Sequence, residues 1–161
     1  MKKKAKGLMI VATVLLIAFI YFRFFHLDPK VSVADDEIRM EIQLDVEEDI
    51  GLFIIDLEVA EETFSGGISN ADKSLLRQDD LLVNHYSKEE FNKLENLDDL
   101  KVRFSIITKY VDPNYENIYP EDLTERMDWM TIDARYGETY RFKVTGSADQ
   151  GYQVVLENPV S

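Results

Sequence analysis

Oxygen-bearing side chains stand at alternate positions in one irregular segment of the chain. They are Asp112, Asn114 and Glu116. Calcium prefers carboxylate and amide oxygens, which alternate in this way in the loop of an EF-hand. The sixth position of that loop should be glycine but is Asn117, and the twelfth should be glutamate but is Leu123, so an EF-hand is excluded. A weak loop calcium site at the three oxygen ligands is the remaining metal hypothesis, beside a solvated acidic loop.

The same region is rich in aromatic side chains that carry polar atoms. These are Tyr110, Tyr115, Tyr119 and Trp129, interleaved with acidic residues and two prolines. Rings of this kind on irregular backbone are typical of surfaces that recognise proteins or sugars. Tyr110 and Trp129 also stand at predicted strand ends, where they would plug the end of a β-sandwich. The sequence therefore predicts a binding surface at the four aromatics, with a purely structural role as the alternative.

Catalytic groups are scarce. The domain has one histidine, His85, which alternation places on the same face as Leu81 and Val83, so a buried or edge histidine is the ordinary interpretation. The absence of cysteine excludes disulfides, thiol catalysis and thiolate metal sites. Acidic residues are numerous enough for chance pairs, which keeps a carboxylate hydrolase open as an alternative. We predict no catalytic residue and no cofactor.

Charge divides the chain into two parts. The whole chain has 18 basic and 31 acidic side chains, a net charge of −13. Residues 1–30 carry six basic and one acidic side chain, whereas residues 31–161 carry 12 basic and 30 acidic ones. Binding nucleic acid needs a basic surface that neutralises phosphates, so we predict no nucleic-acid partner.

The basic part is predicted to orient the protein in a membrane. Residues 1–6 hold four lysines and read as a cytoplasmic tail, and residues 7–25 read as a transmembrane signal anchor. The uncharged residues 7–22 would span about 24 Å as a helix, close to a hydrocarbon core of about 30 Å. The membrane is then a partner, and the C-terminal domain is extracytoplasmic. Secretion after cleavage near Ala34 is the alternative.

Alternating apolar and polar residues predict a β domain. Residues 26–37 are expected to form a stalk and residues 38–158 the domain, with residues 60–80 as a long loop. Ser87 and Glu90 form a capping-box pattern that predicts one short helix up to about residue 96. The expected strands lie near residues 38–46, 53–59, 81–86, 100–110, 129–134, 139–145 and 152–157, the first two as a hairpin.

These elements predict a mainly β protein, with an N-terminal transmembrane helix followed by an antiparallel immunoglobulin-like β-sandwich of about seven strands and one short helix. A barrel is the alternative. The expected function is a membrane-anchored extracytoplasmic binding or accessory module, non-enzymatic, which contacts an envelope protein or a cell-wall glycan. The alternatives are a small envelope hydrolase that uses a carboxylate pair, or a subunit of a larger membrane complex.

Overall fold

The computed structural model describes residues 33–109 and 121–157. The predicted tail, the predicted transmembrane anchor and most of the predicted stalk lie outside these residues. Within the described part, no helix has the length and apolar character needed to cross a membrane. Nine strands form there, which confirms a mainly β protein. They are β1 (Glu37–Val46), β2 (Leu52–Val59), β3 (Glu62–Ile68), β4 (Leu81–Ser87), β5 (Leu97–Ile107), β6 (Thr124–Arg126), β7 (Met130–Ala134), β8 (Thr139–Ser147) and β9 (Gly151–Glu157).

The strands form two sheets. The first has the order β4-β1-β8-β9, and the second has the order β3-β2-β5-β6, with β7 also paired to β5. β1 and β8 run parallel, with Arg39 opposite Thr139 and Val46 opposite Gly146, whereas the other paired strands are antiparallel. The prediction of an antiparallel sandwich of about seven strands is therefore wrong at this pair and in the strand number. Alternation reveals which face of a strand is buried but not the direction of its neighbour.

Apolar side chains from both sheets meet in one core. On β1, the side chains of Ile38, Met40 and Ile42 are fully buried. Phe104 of β5 contacts Phe142 of β8, with ring centroids 5.0 Å apart and ring planes at 72°. Because this contact joins a strand of each sheet, the two sheets pack face to face as a sandwich. Burying each such side chain stabilises the fold by roughly 1.5–3 kcal/mol.

The first hairpin is made by β2 and β3, not by β1 and β2 as predicted, because β1 and β2 belong to different sheets. Its turn consists of Ala60 and Glu61, with φ angles of 51° and 66°. Two successive left-handed residues are typical of a type I′ turn, which favours Asn-Gly. The Ala-Glu sequence is not typical of this turn and gives no signal for it. The prediction of residues 60–80 as one long loop is therefore wrong.

The predicted helix after Ser87 does not form. The backbone N–H of Ser87 donates to Glu90 Oε2 at 2.7 Å, and the Ser87 hydroxyl accepts from the Glu90 N–H at 3.4 Å, as a capping box requires. Asn92 and Lys93 then adopt φ angles of 52° and 63°, which end the helical geometry after one turn. The segment is a series of turns, and the helical piece that the described residues do contain is the single 3-10 turn Glu121–Leu123.

Candidate binding surface

Of the predicted site residues, the structure describes Trp129. The other three aromatics and the three calcium ligands lie outside the described residues, between the end of β5 and the 3-10 turn, so both hypotheses stay predictions there. These six residues are Tyr110, Tyr115, Tyr119, Asp112, Asn114 and Glu116. Within residues 33–109 and 121–157, no three His, Asp or Glu side chains are grouped so that they could hold a metal ion.

His85 lies on β4, at the edge of the first sheet. Its Nδ1 is 3.4 Å from Glu37 Oε2. The face that it shares with Leu81 and Val83 is the exposed one, whereas Tyr86 points into the core. The interpretation as an edge histidine is therefore confirmed, and the interpretation as a buried histidine is wrong.

A β-bulge precedes Trp129 in the segment that pairs with β5, which consists of β6, residues 127–129 and β7. Arg126 of β6 lies opposite Ser105, whereas Met130 of β7 lies opposite Val102. Between these two pairs, β5 contributes residues 103 and 104, whereas the paired segment contributes residues 127–129 and so holds one extra residue. The side chain of Met127 is buried in the core, and the extra residue therefore falls in the two positions after it. A bulge of this kind re-aims a side chain, and here it brings Trp129 to the outer face of the second sheet.

The Trp129 ring lies on the guanidinium of Arg103. The Arg103 Cζ is 4.4 Å from the ring centroid, and the tryptophan is 38% exposed. Nε and Nη2 of Arg103 donate to Asp56 Oδ2 at 3.1 and 2.9 Å, and the Ser65 hydroxyl donates to Asp56 Oδ1 at 2.7 Å. The carboxylate thus fixes the plane on which the ring rests. A cation–π contact of this kind contributes about 0.5–1 kcal/mol at an exposed site.

A second ion pair lies next to this one on the same face. Lys101 Nζ is 2.6 Å from Glu58 Oε1, and Glu58 is opposite Lys101 in the pairing of β2 with β5. We call the outer-face residues Asp56, Glu58, Lys101, Arg103 and Trp129 the Trp129 face. Its acids face basic side chains and not one another, so it presents hydrogen-bonding groups around an exposed ring. Alternation predicted Lys101 and Arg103 as outward residues, but nothing in the sequence indicated their partners.

A cavity of about 200 Å³ adjoins the Trp129 face. Its lining adds two hydroxyl side chains and one more guanidinium to the Asp56–Arg103 pair. The lining consists of Ile54, Asp56, Arg103, Ser105, Thr124 and Arg126. These groups suit the recognition of polar ligand groups next to the indole.

Another cavity, of about 320 Å³, contains two acids, Glu95 and Asp98, together with Arg135. A glycosidase needs one carboxylic acid that donates a proton and a second carboxylate that acts as base or nucleophile. Lys88 Nζ donates to Glu95 Oε2 at 2.5 Å, so this carboxylate is already paired with a lysine side chain. The arrangement gives the hydrolase alternative no support.

Two tyrosines fasten turns at the ends of the strands through carboxylates. The Tyr140 hydroxyl donates to Glu138 Oε2 at 2.7 Å and accepts from the Arg135 N–H at 2.8 Å. Burial, reinforced by the Glu138 carboxylate, raises the pKa of Tyr140 well above its usual value. Burial likewise raises the pKa of Tyr152, whose hydroxyl donates to Glu48. These contacts link turns to strands and share no residue with the Trp129 face.

Comparison with known proteins gives weak similarities of fold. No protein-family model and no curated protein sequence matches the chain. The membrane-binding domain of pneumolysin is similar at a TM-score of 0.37 and 9% identity, over 76% of this chain and 96% of that one. Suilysin from Streptococcus suis is similar at 0.35 and 11%, and a longer pneumolysin structure at 0.37 and 9%. This chain spans 23% of either of those two toxins, and TM-scores this low carry no functional argument.

Proposed function

We propose that this protein is a membrane-anchored, extracytoplasmic binding module without enzymatic activity, and that the Trp129 face is its contact surface. The observation that carries the proposal is the exposed indole, held on the guanidinium of Arg103, which Asp56 in turn fixes. Tryptophan and arginine dominate the energetics of protein contact surfaces. The immunoglobulin-like outline of the sandwich belongs to the same proposal, and its support is the face-to-face packing of two sheets.

The fixed position of the Trp129 ring on Arg103 favours a binding role. A side chain that already occupies one position loses little conformational entropy when a partner covers it. The flanking charges are paired within the protein, so a partner that covers them does not bury an uncompensated charge. Because both signs of charge flank the ring, we propose an envelope protein as the partner. Stacking of the indole on a cell-wall glycan is the other outcome of the test.

The membrane anchor and the side of the membrane are proposed from residues 7–25 and the lysines before them. The absence of cysteine allows a direct test, because any introduced cysteine is unique. We expect a membrane-impermeant maleimide to label Asp149→Cys on intact cells. The control, Lys3→Cys, should be labelled only after permeabilisation. The reverse pattern would contradict the orientation, and a shortened Asp149→Cys protein in the medium would contradict the retained anchor.

The contact surface is tested by capture from the protein's own membranes. The full chain is cross-linked in place, purified and analysed by mass spectrometry, as wild type, as Trp129→Ala and as Val155→Ala. Val155 is a matched control, because it is 61% exposed on β9 of the other sheet. We expect Trp129→Ala to recover the partner about tenfold less well, which corresponds to about 1.4 kcal/mol. Equal recovery by both variants would overturn the Trp129 face as the contact surface, and recovery of glycan alone would assign the partner to the wall.

A further inference from the structure

A separate cavity lies where the edge strands β3 and β4 meet. It has a volume of about 250 Å³ and is lined by Phe64, Ser65, Tyr86, Glu90 and Phe91. The Phe91 ring is fully buried, with its centroid 5.3 Å from that of Phe64 and 5.9 Å from that of Tyr86. Ser65 and Glu90 are exposed at the mouth. The cavity therefore has an aromatic wall and a polar entrance.

The hydroxyl of Tyr86 lacks a hydrogen-bond partner in the described part of the chain, although the residue is only 8% exposed. The side chain of Asn84 approaches the hydroxyl without the geometry of a hydrogen bond. An unpaired buried polar group is unfavourable, because it has lost its hydrogen bonds to water without gaining others. Burial raises the pKa of Tyr86 to about 12, and the charges of Glu90 and Asp56 act in the same direction. The hydroxyl is therefore neutral at physiological pH and can accept a hydrogen bond.

The space beside this hydroxyl exists because β3 has a glycine there. Gly66 lies opposite Ile55, a core residue of β2, so a side chain at Gly66 would point toward the core. A Cβ atom at Gly66 would lie 3.9 Å from Tyr86 Oη, which is ordinary contact distance. A larger side chain at this position would occupy the cavity. A glycine in a strand often marks a place where another group approaches the backbone.

The electrostatics of the cavity favour a cation. Its described lining contains one acidic side chain, Glu90, and no basic one. Glu90 Oε2 accepts hydrogen bonds from the backbone and the hydroxyl of Ser87, which hold the carboxylate in place. The faces of the surrounding aromatic rings also attract positive charge. A neutral ligand would gain nothing from the negative charge of Glu90, and this charge would repel an anion.

We propose that this cavity binds a primary alkylammonium group. The ammonium donates to Tyr86 Oη and to the Glu90 carboxylate, and the alkyl chain lies against Phe64 and Phe91. The unpaired hydroxyl selects a primary over a quaternary ammonium, because a quaternary nitrogen has no N–H to donate. The group belongs either to a free amine or to a lysine side chain of a partner protein. The site shares no residue with the Trp129 face, although Ser65 at its mouth donates to Asp56 of that face.

Ligand-observed NMR on the full chain in non-ionic detergent micelles tests the ligand class. The probes are n-butylammonium, tetramethylammonium and, as a neutral analogue, n-butanol. We expect n-butylammonium to bind at least about tenfold more tightly than either of the other two, the factor expected for a hydrogen bond to a charged group. Failure of n-butylammonium to bind, or equal binding of n-butanol, would overturn the proposal.

Two variants test the location of the site. Tyr86→Phe should weaken n-butylammonium binding about tenfold, while stability stays the same or rises because the unpaired hydroxyl is gone. Gly66→Val should abolish binding by filling the cavity, and valine suits a strand. Val155→Ala is the control. Wild-type affinity in both folded variants would overturn the site.

The source of the group is tested with a capped lysine, Nα-acetyl-lysine methylamide. Tighter binding of this compound than of n-butylammonium assigns the site to a partner's lysine. Weaker binding assigns it to a free amine. Either result requires that Tyr86→Phe reduces the affinity, and an unchanged affinity in that variant would count against the site.

Discussion

The guanidinium of Arg103 lies between a carboxylate and an aromatic ring. Its Nη2 is 2.9 Å from Asp56 Oδ2, and its Cζ is 4.4 Å from the centroid of Trp129. The Asp56 side chain is 15% exposed, so the ion pair is largely shielded from water. One planar cation thus serves both the cross-strand pairing of β2 with β5 and the support of an exposed ring.

Arg103→Lys keeps the charge but removes the planar fork that bonds Asp56 and supports the ring. We expect the free energy of unfolding to fall by about 1 kcal/mol and partner capture to weaken. Arg141→Lys is the control, since Arg141 Nε is 2.8 Å from Glu41 Oε2 in the other sheet. Urea unfolding and capture from membranes measure the two effects. Normal capture by Arg103→Lys would show that the ring acts without its support.

The tyrosines before the 3-10 turn are predicted from the sequence to take part in the same contact. Tyr115→Ala combined with Tyr119→Ala should leave the melting temperature nearly unchanged and abolish partner capture. Circular dichroism of the full chain measures the first quantity, and mass spectrometry of cross-linked membranes measures the second. A large drop in the melting temperature would identify these rings as core residues instead.

The sequence predicted well what alternation determines. The core residues of β1, such as Ile38 and Met40, and those of β8, such as Phe142, follow a strict period of two because one face of each strand meets the other sheet. Pairing depends on residues far apart in the chain, so the parallel contact of Arg39 with Thr139 was not predicted. Local rules also failed at Lys93, where a positive φ ends the predicted helix and the backbone N–H donates to the Lys88 carbonyl at 2.9 Å.

The candidate site was predicted only in part, because it too depends on contacts between residues that are far apart in the chain. Trp129 was selected by residue type and by its place next to an irregular segment. Its position over Arg103 depends on the bulge between β6 and β7. This extra residue can be recognised only when the register of both strands with β5 is known. The cavity at Tyr86 was missed, because a buried hydroxyl without a partner has no sequence signal.

The turn between β2 and β3 can be improved. Ala60 and Glu61 both adopt left-handed φ angles, which an ordinary L-residue adopts at a cost of about 1–2 kcal/mol. Replacing them by Asn-Gly should raise the free energy of unfolding by about 1 kcal/mol. Urea unfolding of the full chain measures this change, with Glu62→Gly in the adjoining strand as the control that should destabilise. No gain in stability would mean that other contacts determine the turn.

Alkaline pH should destabilise the fold through Tyr86. Its pKa rises from an ordinary value of 10.0 to about 12 on folding. Below pH 10 Tyr86 keeps its proton in both the folded and the unfolded state, so its titration does not lower the free energy of unfolding. Above it the unfolded state loses the proton first, so stability falls by up to about 1.4 kcal/mol per pH unit until the folded pKa is reached. Urea unfolding at about pH 8, 10 and 11 measures the slope, and Tyr86→Phe should reduce it; an identical slope in the variant would contradict the burial of the hydroxyl.

Two glycines that flank the last hairpin should respond differently to alanine. Gly146 has a φ of 108°, and a Cβ there would lie 2.3 Å from the carbonyl oxygen of Gly151 across the strand pair. Gly151 has a φ of 84°, but a Cβ there would meet no atom within 4 Å. Gly151→Ala therefore carries only backbone strain, about 1–2 kcal/mol. Gly146→Ala adds a backbone clash that must separate β8 from β9, and we expect a loss of more than about 3 kcal/mol. Urea unfolding compares the two variants, and equal losses would show that the β8–β9 pairing near the turn adapts without cost.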